Sequence, residues 1–361
     1  MNGPFVLAAG GSGGHLFPAQ ALASELVRRG RRVVVMTDER GHNFGKAFPG
    51  AEIATVPAAT FAGRSVLGKI AALGTILLGI ADAFGKLRSL KPKAVVGFGG
   101  YPSLPVMIAA SLARIPALLH EQNAVPGRVN RMLARRVKAI AATFPFQRLA
   151  PRCRRIVFTG NPVRPEAQAL QAAPYTPPDA SGPVRLLIFG GSQGARALSE
   201  LVPKALALLP EHLRNRLEVT QQARAEDLPM VETSLRESGI KAETGKFFSD
   251  LPQRMARAHL VIARSGASTL SELAVIGRPA ILIPYPSAMD DHQSANAAVM
   301  EKAGAALVIK QSALDAEKLA RLLEEILTDP ERLRNYAEAA KSLGHADAAQ
   351  RLADLAEGIA S

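Results

Sequence analysis

A short apolar run, a glycine-rich turn and a helix-length amphipathic stretch occur twice in this chain, 180 residues apart. The first copy runs from Phe5-Val6-Leu7-Ala8-Ala9 through Gly10-Gly11-Ser12-Gly13-Gly14-His15 into a helical pattern over residues 17–29. The second runs from Val184-Arg185-Leu186-Leu187-Ile188-Phe189 through Gly190-Gly191-Ser192-Gln193-Gly194-Ala195 into residues 195–209. A strand, a glycine turn and a helix open a doubly wound α/β domain, and the helix start presents its unbonded N–H groups to an anion. Two copies predict two such domains, each able to hold a phosphate or diphosphate, with two anionic ligands meeting in a cleft between the halves. A chain of 361 residues is long enough to bury two ordinary cores.

The remaining sequence alternates short apolar runs with helix-length amphipathic stretches, the pattern of a parallel sheet covered on both faces. Strands are expected at 5–9, 33–37, 53–56, 94–97, 117–119, 139–142 and 156–158 in the first half. In the second half they are expected at 184–189, 217–220, 240–243, 260–263, 280–283 and 306–309. The join falls near residues 159–165, ahead of a Pro/Ala-rich loop at 172–183. From about Asp329 the tail is helical in pattern, and it is expected to cross back and brace the first domain.

Charge divides the halves. Residues 1–163 carry 22 Lys+Arg against 6 Asp+Glu, and the remainder 22 against 25, giving +16 and −3. The first half therefore faces an anionic partner. With 5% aromatic residues and no RNA-binding or helix-turn-helix signature, nucleic acid is set aside in favour of an anionic membrane surface. Ile70 to Ala81 is a twelve-residue run without charge, with Ile70, Leu73, Leu77, Ile80 and Phe84 at helical spacing. Arg64, Lys69, Lys86, Arg88, Lys91 and Lys93 flank it. About 20 residues are needed to span a bilayer, so the run is expected to lie in the headgroup layer or to pack partly on the sheet. The single cysteine, Cys153, permits no internal disulfide and fits a reducing compartment. No basic segment precedes an apolar stretch at the N-terminus, so export is not expected.

Further clusters carry chemistry. Gly97-Phe98-Gly99-Gly100-Tyr101-Pro102-Ser103 is a third glycine loop, in the same half as the first, and two such loops can cradle a diphosphate on backbone N–H groups. His120-Glu121-Gln122-Asn123, with Asn130 beyond, lies just past a strand end, where open α/β sheets bind ligands. In the second half Arg264-Ser265-Gly266-Ala267 opens a helix that can meet a phosphate, and Glu272, about two turns in, suits a ribose diol. Pro284-Tyr285-Pro286 leads to Asp290-Asp291-His292-Gln293 and Asn296, a pattern fit to read sugar hydroxyls. Each cluster alone reads as tight packing, a solvated loop or a surface charge. Their combination points to a site.

Together these strings resemble the MurG family of UDP-N-acetylglucosamine:undecaprenyl-diphospho-N-acetylmuramoyl-pentapeptide N-acetylglucosaminyltransferases. The resemblance rests on residues 10–15, 120–123 with Asn130, 160–164, 190–196, 264–267 with Glu272, and Gln293 with Asn296, in order along nearly the whole chain. It departs at His292, where some relatives carry a second glutamine. The resemblance implies a glycosyltransferase B fold of two Rossmann-like domains. Residues 1–163 would be the acceptor and membrane-associating domain, 164–340 the donor domain, and 341–361 a C-terminal helix packed back on the first domain. It also implies a peripheral enzyme of peptidoglycan synthesis on the cytoplasmic face of the bacterial inner membrane.

By the same resemblance, an inverting single displacement needs a base at the acceptor C4 hydroxyl, and His15 and Glu121 compete for that role. Donor contacts fall to Ser12, Gly13, Gly14, Asn123, Arg164, Ser192, Gln193, Phe248, Ser265, Gly266, Glu272, Gln293 and Asn296. Among these, Glu272 would take the ribose and the backbone of Phe248 the uracil. Asn123, Gln293 and Asn296 would orient the N-acetylglucosamine. No Asp-x-Asp occurs in the chain, so no tightly held metal and no other cofactor is implied; helix dipoles can stabilise the leaving diphosphate instead.

Other classes fit less well. Both glycine turns match Gly-x-Ser-x-Gly, the nucleophile elbow of α/β-hydrolases, but a hydrolase leaves the second copy unexplained. The third glycine of a dinucleotide-binding Gly-x-Gly-x-x-Gly is missing after Gly11-Ser12-Gly13. A non-catalytic membrane protein leaves the second half idle, and a sugar-nucleotide epimerase has no use for a lipid-facing surface.

Overall fold

A computed structural model describes residues 3–10, 13–39, 48–60, 65–191 and 194–360. The chain divides into two compact units, Met1–Arg164 with His345–Ser361, and Pro165–Gly344. The first holds a seven-stranded sheet of β1 (Phe5–Ala8), β2 (Val33–Thr37), β3 (Glu52–Thr55), β4 (Ala94–Gly97), β5 (Ala117–Glu121), β6 (Ala139–Ala142) and β7 (Ile156–Phe158). Its order is β3-β2-β1-β4-β5-β6-β7, and all recorded pairings are parallel. The central strands read as unbroken apolar runs because helices cover both their faces. Leu7, Val35, Val96 and Leu118 pack towards the Gly13–Arg28 and Ala348–Ala360 helices, while Val6, Val95, Leu119 and Ile140 share a core with side chains of the Val66–Leu90 and Gly100–Leu112 helices.

The second unit repeats the plan. β8 (Val184–Phe189), β9 (Leu217–Gln222), β10 (Lys241–Gly245), β11 (Leu260–Ala263), β12 (Ala280–Leu282) and β13 (Ala306–Val308) form a parallel sheet in the order β10-β9-β8-β11-β12-β13. Strand order reverses between β1 and β4 in one unit and between β8 and β11 in the other. Open α/β sheets bind ligands outside the carboxyl ends of the strands at such a reversal. Gly10 follows β1 and Gly99-Gly100 follow β4, while Gly190-Gly191 follow β8 and residues 264–266 follow β11.

Three differences from the sequence reading have physical causes. The first helix begins at Gly13 and not at Phe17, so His15 lies in its first turn. The uncharged run at 70–81 is part of a longer helix, Val66–Leu90. Ser65 caps its N-terminus by accepting from Gly68 N at 3.2 Å, and Lys91 ends it in the left-handed region at φ 46°. An i,i+4 ion pair between Asp82 and Lys86 at 2.6 Å carries it past the apolar run. Within this helix Ile76 is 5% exposed and Ile80 half-buried, so the outward apolar face is Leu67, Ile70, Leu73, Leu77 and Leu78, of which Leu67 is 80% exposed. Among the described residues this is the one helix long and apolar enough to cross a membrane.

The third difference is the return crossing, at 344/345 and not 340/341. The Pro330–Ser342 helix stays with the second unit because Lys341 Nζ donates to Val275 O at 3.2 Å and Gly344 packs on the Ala274 backbone. Beyond it, the Ala348–Ala360 helix inserts Leu352, Ala353 and Ala356 into the first core. Arg29 joins this helix through Asp354 (2.6 Å) and Glu357 (2.7 Å). Burying one leucine contributes about 1.5–3 kcal/mol, and a solvent-facing ion pair about 0–1. Packing therefore does most to hold the C-terminal helix, and the pairs fix its register.

Candidate functional site

In the first unit, the two glycine turns lie against each other. A side chain on Gly10 would collide with Pro102 and Thr37 Oγ1 at 2.9 Å, so the chain passes there only as glycine. Gly99 and Gly100 both have positive φ, at 82° and 72°. A Cβ on Gly100 would lie 3.2 Å from His15 Cδ2 and 3.3 Å from Nε2, which sets the imidazole edge beside this turn. His15 is half-buried on the first turn of its helix, next to Gly13 and the exposed Gly14. Four residues on, the Phe17 ring lies under Gly13, and the Arg164 guanidinium sits over the ring, 5.5 Å from its centroid.

Glu121 ends β5 and is fully buried. Its Oε1 accepts from Asn123 N at 3.0 Å, and its Oε2 from Gly127 N and Asn130 Nδ2, both at 2.8 Å. Burial pushes its pKa up, while the two amides and the Asn130 and Asn123 side chains pull it back. The carboxylate thus folds the 122–130 loop and presents Asn123 at its head. His120, on the same strand, is buried beside Phe98 and held down to about 4 by desolvation. Gln122 Nε2 donates to Phe98 O (3.0 Å) and to His120 Nδ1 (3.1 Å), so Nε2 of the neutral ring carries the proton and donates to Gly160 O at 3.3 Å.

In the second unit, the Ala267–Ile276 helix starts after Gly266 with no side-chain cap, leaving its first-turn amides directed at the β8–β11 reversal. Ser265 is fully buried and its Oγ donates to Gln293 O at 2.8 Å. Asn296 is also fully buried and donates to Ser265 O at 3.2 Å, while Gln293 Oε1 accepts from Tyr285 N at 2.9 Å. Arg264 completes the arrangement. It donates to Ile283 O (3.0 Å), Pro284 O (3.2 Å) and Gln311 Oε1 (2.7 Å), lies over Tyr285, and so shapes the loop that Gln293 touches. Glu272 is buried on the Ala267–Ile276 helix, which follows the Ser265-Gly266 turn. Phe248 is buried after β10, with Arg254 4.2 Å above its ring and ion-paired to Glu243 and Asp250.

The first unit therefore gathers Gly13, Gly14, His15, Glu121, Asn123 and Arg164. The second gathers Ser265, Gly266, Glu272, Gln293 and Asn296, while Phe248 follows the edge strand β10, two strands away from β8. Ser12, Ser192 and Gln193 lie outside the described residues. The sequence places His120, Gln122 and Arg264 in candidate clusters without assigning any of them a role, and it gives Phe17 no part in the site. A signal existed for Arg264, since a charge directly after Leu260-Val261-Ile262-Ala263 is costly to bury without partners. Phe17 was detectable as an aromatic four residues past Gly13, on the same helix face.

Comparison with known proteins agrees with this layout. The glycosyltransferase family 28 N-terminal domain matches residues 5–142, and the family's C-terminal domain matches residues 185–352. A Brucella canis protein named UDP-N-acetylglucosamine–N-acetylmuramyl-(pentapeptide) pyrophosphoryl-undecaprenol N-acetylglucosamine transferase is 52% identical over 360 residues, covering 100% of this chain and 95% of its own. A Chelativorans protein of the same name is 51% identical over 356 residues, covering 99% and 95%. The crystal structure of Acinetobacter baumannii MurG superimposes with a TM-score of 0.80 at 31% identity, over 98% of this chain and 99% of that one. The calicheamicin glycosyltransferase CalG4, at 17% identity and a TM-score of 0.69 over 99% and 98%, shares the fold. The chain belongs to glycosyltransferase family 28 and is a MurG-type member of it.

Proposed function

We propose that this protein transfers N-acetylglucosamine from UDP-N-acetylglucosamine to the C4 hydroxyl of undecaprenyl-diphospho-N-acetylmuramoyl-pentapeptide, with inversion, in peptidoglycan synthesis. The observation that carries the reading is full-length identity of about half to transferases of that name, together with glycine-containing segments at both strand-order reversals. The first unit takes the lipid-linked acceptor and the second most of the UDP-sugar.

His15 is the base that removes the C4 hydroxyl proton. Its Nε2 edge lies beside the Gly99–Gly100 turn, on the unit that receives the acceptor. Glu121 is the weaker candidate, because both its oxygens already accept N–H donors inside the fold. The departing diphosphate is met by helix N-termini, each equivalent to about +0.5 charge, and by Arg164, Ser12, Ser192 and Gln193. Glu272 binds the ribose hydroxyls, the backbone at Phe248 the uracil, and Asn123 and Gln293 the sugar. Asn296 acts one step back, holding Ser265 and hence the turn beside Gly266.

The protein docks peripherally on the cytoplasmic face of the inner membrane through the Val66–Leu90 helix. Ala72, Ala83 and Leu87 on its inner face are fully buried, so leaving the unit to span a bilayer would strip them from the core. The exposed leucines, with Lys69, Lys86 and Arg88, suit the headgroup layer. The test is to mix the purified protein with labelled UDP-N-acetylglucosamine and the lipid-linked acceptor. A labelled lipid-linked disaccharide supports the reading, and no transfer across varied detergents and salts overturns it.

A further inference from the structure

Phe17 stands apart on its helix. Leu16, Ala19, Leu22, Ala23 and Leu26 enter the core of the first unit, whereas Phe17 is 36% exposed and lies outside that cluster. An aromatic ring at the start of a helix, turned away from the core, has a large apolar face that neighbours can cover.

Two neighbours do. On one side the ring edge supports the glycine turn: a Cβ on Gly13 would lie 3.1 Å from Phe17 Cε2 and 3.5 Å from Cζ. On the other, the Arg164 guanidinium lies over the ring with Cζ 5.5 Å from the centroid, within cation–π range. Stacking of this kind uses the flat face of the guanidinium. Its N–H donors lie along the edge, which is the part that grips phosphate oxygens in pairs. One ring thus touches both the first helix turn, where amides can meet an anion, and a guanidinium whose charge would add to the helix dipole.

We propose that Phe17 is a positioning residue for the donor diphosphate, holding Gly13 and Arg164 together as one anion-binding unit. The proposal rests on the reading that Gly13, Gly14 and Arg164 meet the UDP-sugar. Phe17 touches no substrate atom in it; the ring acts through Arg164 and the turn.

The test compares wild type, Phe17→Leu, Phe17→Tyr, Arg164→Lys and the double variant Phe17→Leu/Arg164→Lys. Each is checked for an unchanged melting midpoint, then for UDP affinity by calorimetry and for both KM values in the transfer assay. Phe17→Leu, which keeps apolar bulk and loses the π face, should weaken UDP binding and raise the donor KM by about three- to tenfold. The KM for the lipid-linked acceptor should not move, and Phe17→Tyr should restore the wild-type values. Lysine lacks the planar face, so in the Arg164→Lys background Phe17→Leu should add less than about twofold.

Full additivity of the two substitutions, unchanged UDP affinity in a folded Phe17→Leu, or a shift confined to the acceptor KM would each overturn the proposal. If wild type transfers sugar normally while Phe17→Leu matches it, only this inference falls. If wild type neither binds UDP nor transfers, the functional reading falls and takes the inference with it.

Discussion

Removing the Glu121 carboxylate should unfold part of the first unit before it abolishes any proton transfer. The carboxylate accepts from Asn123 N, Gly127 N and Asn130 Nδ2 at 3.0, 2.8 and 2.8 Å, in a position sealed from solvent. Hydrogen bonds to charged groups contribute about 1.5–3 kcal/mol each, and an abandoned buried donor costs about 1–3. The three bonds share one acceptor, and Asn130 also donates to His120 O at 3.2 Å, so their losses do not simply add. A total of about 3–5 kcal/mol for Glu121→Ala is the working figure. In a unit of this size each kcal/mol moves the midpoint by about 2–4 °C, so Glu121→Ala should melt roughly 6–20 °C lower. Glu121→Gln keeps an oxygen where two donors converge and puts an amide N–H against the third, so it should lose about half as much. Melting followed by circular dichroism gives the shifts. Transfer rates are then measured well below each midpoint, where Glu121→Gln should retain most of its turnover and the wild-type pH profile. A Glu121→Gln protein with an unchanged midpoint and turnover down by about 10²-fold or more would refute this reasoning and make Glu121 the base.

Other outcomes follow from the same geometry. His15→Ala should lower turnover about 10²–10⁴-fold with donor affinity nearly intact; a loss carried by the donor KM would count against a base. Glu272→Ala should weaken donor binding by the worth of a charge-assisted bond, about 1.5–3 kcal/mol or roughly 10- to 150-fold, read as the dissociation constant for UDP. His120, and His259 in the second unit, are held near 4 by burial, while an unfolded histidine titrates near ~6.5. The unfolded chain therefore binds the extra protons, and stability is lost as pH falls from about 6.5 to 4, by about 3 kcal/mol for His120. Urea unfolding at pH 7 and pH 4.5 measures this, and His120→Gln should flatten the slope. Replacing Leu67, Ile70 and Leu77 by Ser should release the protein from vesicles of acidic lipid without moving its midpoint, whereas Ile76→Ser should lower the midpoint. A folded triple variant that still sediments with those vesicles would place the docking surface elsewhere.

The sheet was legible because central strands of a parallel sheet, buried on both faces, read as runs such as Phe5–Ala8, Val33–Thr37 and Leu260–Ala263. The glycine turns were legible because Gly99, Gly100, Gly191 and Gly194 hold positive φ, where other residues are strained. What sequence hid depends on tertiary partners. Helix propensity argues against starting a helix at Gly13-Gly14, yet Phe17 packed beneath Gly13 accompanies a start there. Lys91 gives no glycine-like stop signal for a helix that ends in the left-handed region. Glu121 and Asn296 look like ligand readers in a polar string. The bonds that tie them to Gly127, Asn130 and Ser265 belong to the three-dimensional fold and leave no local pattern. Arg264 and Phe17 contact Pro284 and Arg164, 20 and 147 residues away, which no local pattern encodes.

The central claim is transfer with inversion onto a lipid-linked acceptor, and the products of one incubation test it most directly. The protein is supplied with UDP-N-acetylglucosamine labelled in the sugar and with the undecaprenyl-linked muramoyl-pentapeptide, and the lipid and nucleotide fractions are characterised by mass and anomeric configuration. The account predicts one UDP released per lipid-linked disaccharide, with a β linkage at the acceptor C4 hydroxyl. Free N-acetylglucosamine, an epimerised UDP-sugar, or an α-linked disaccharide would contradict it.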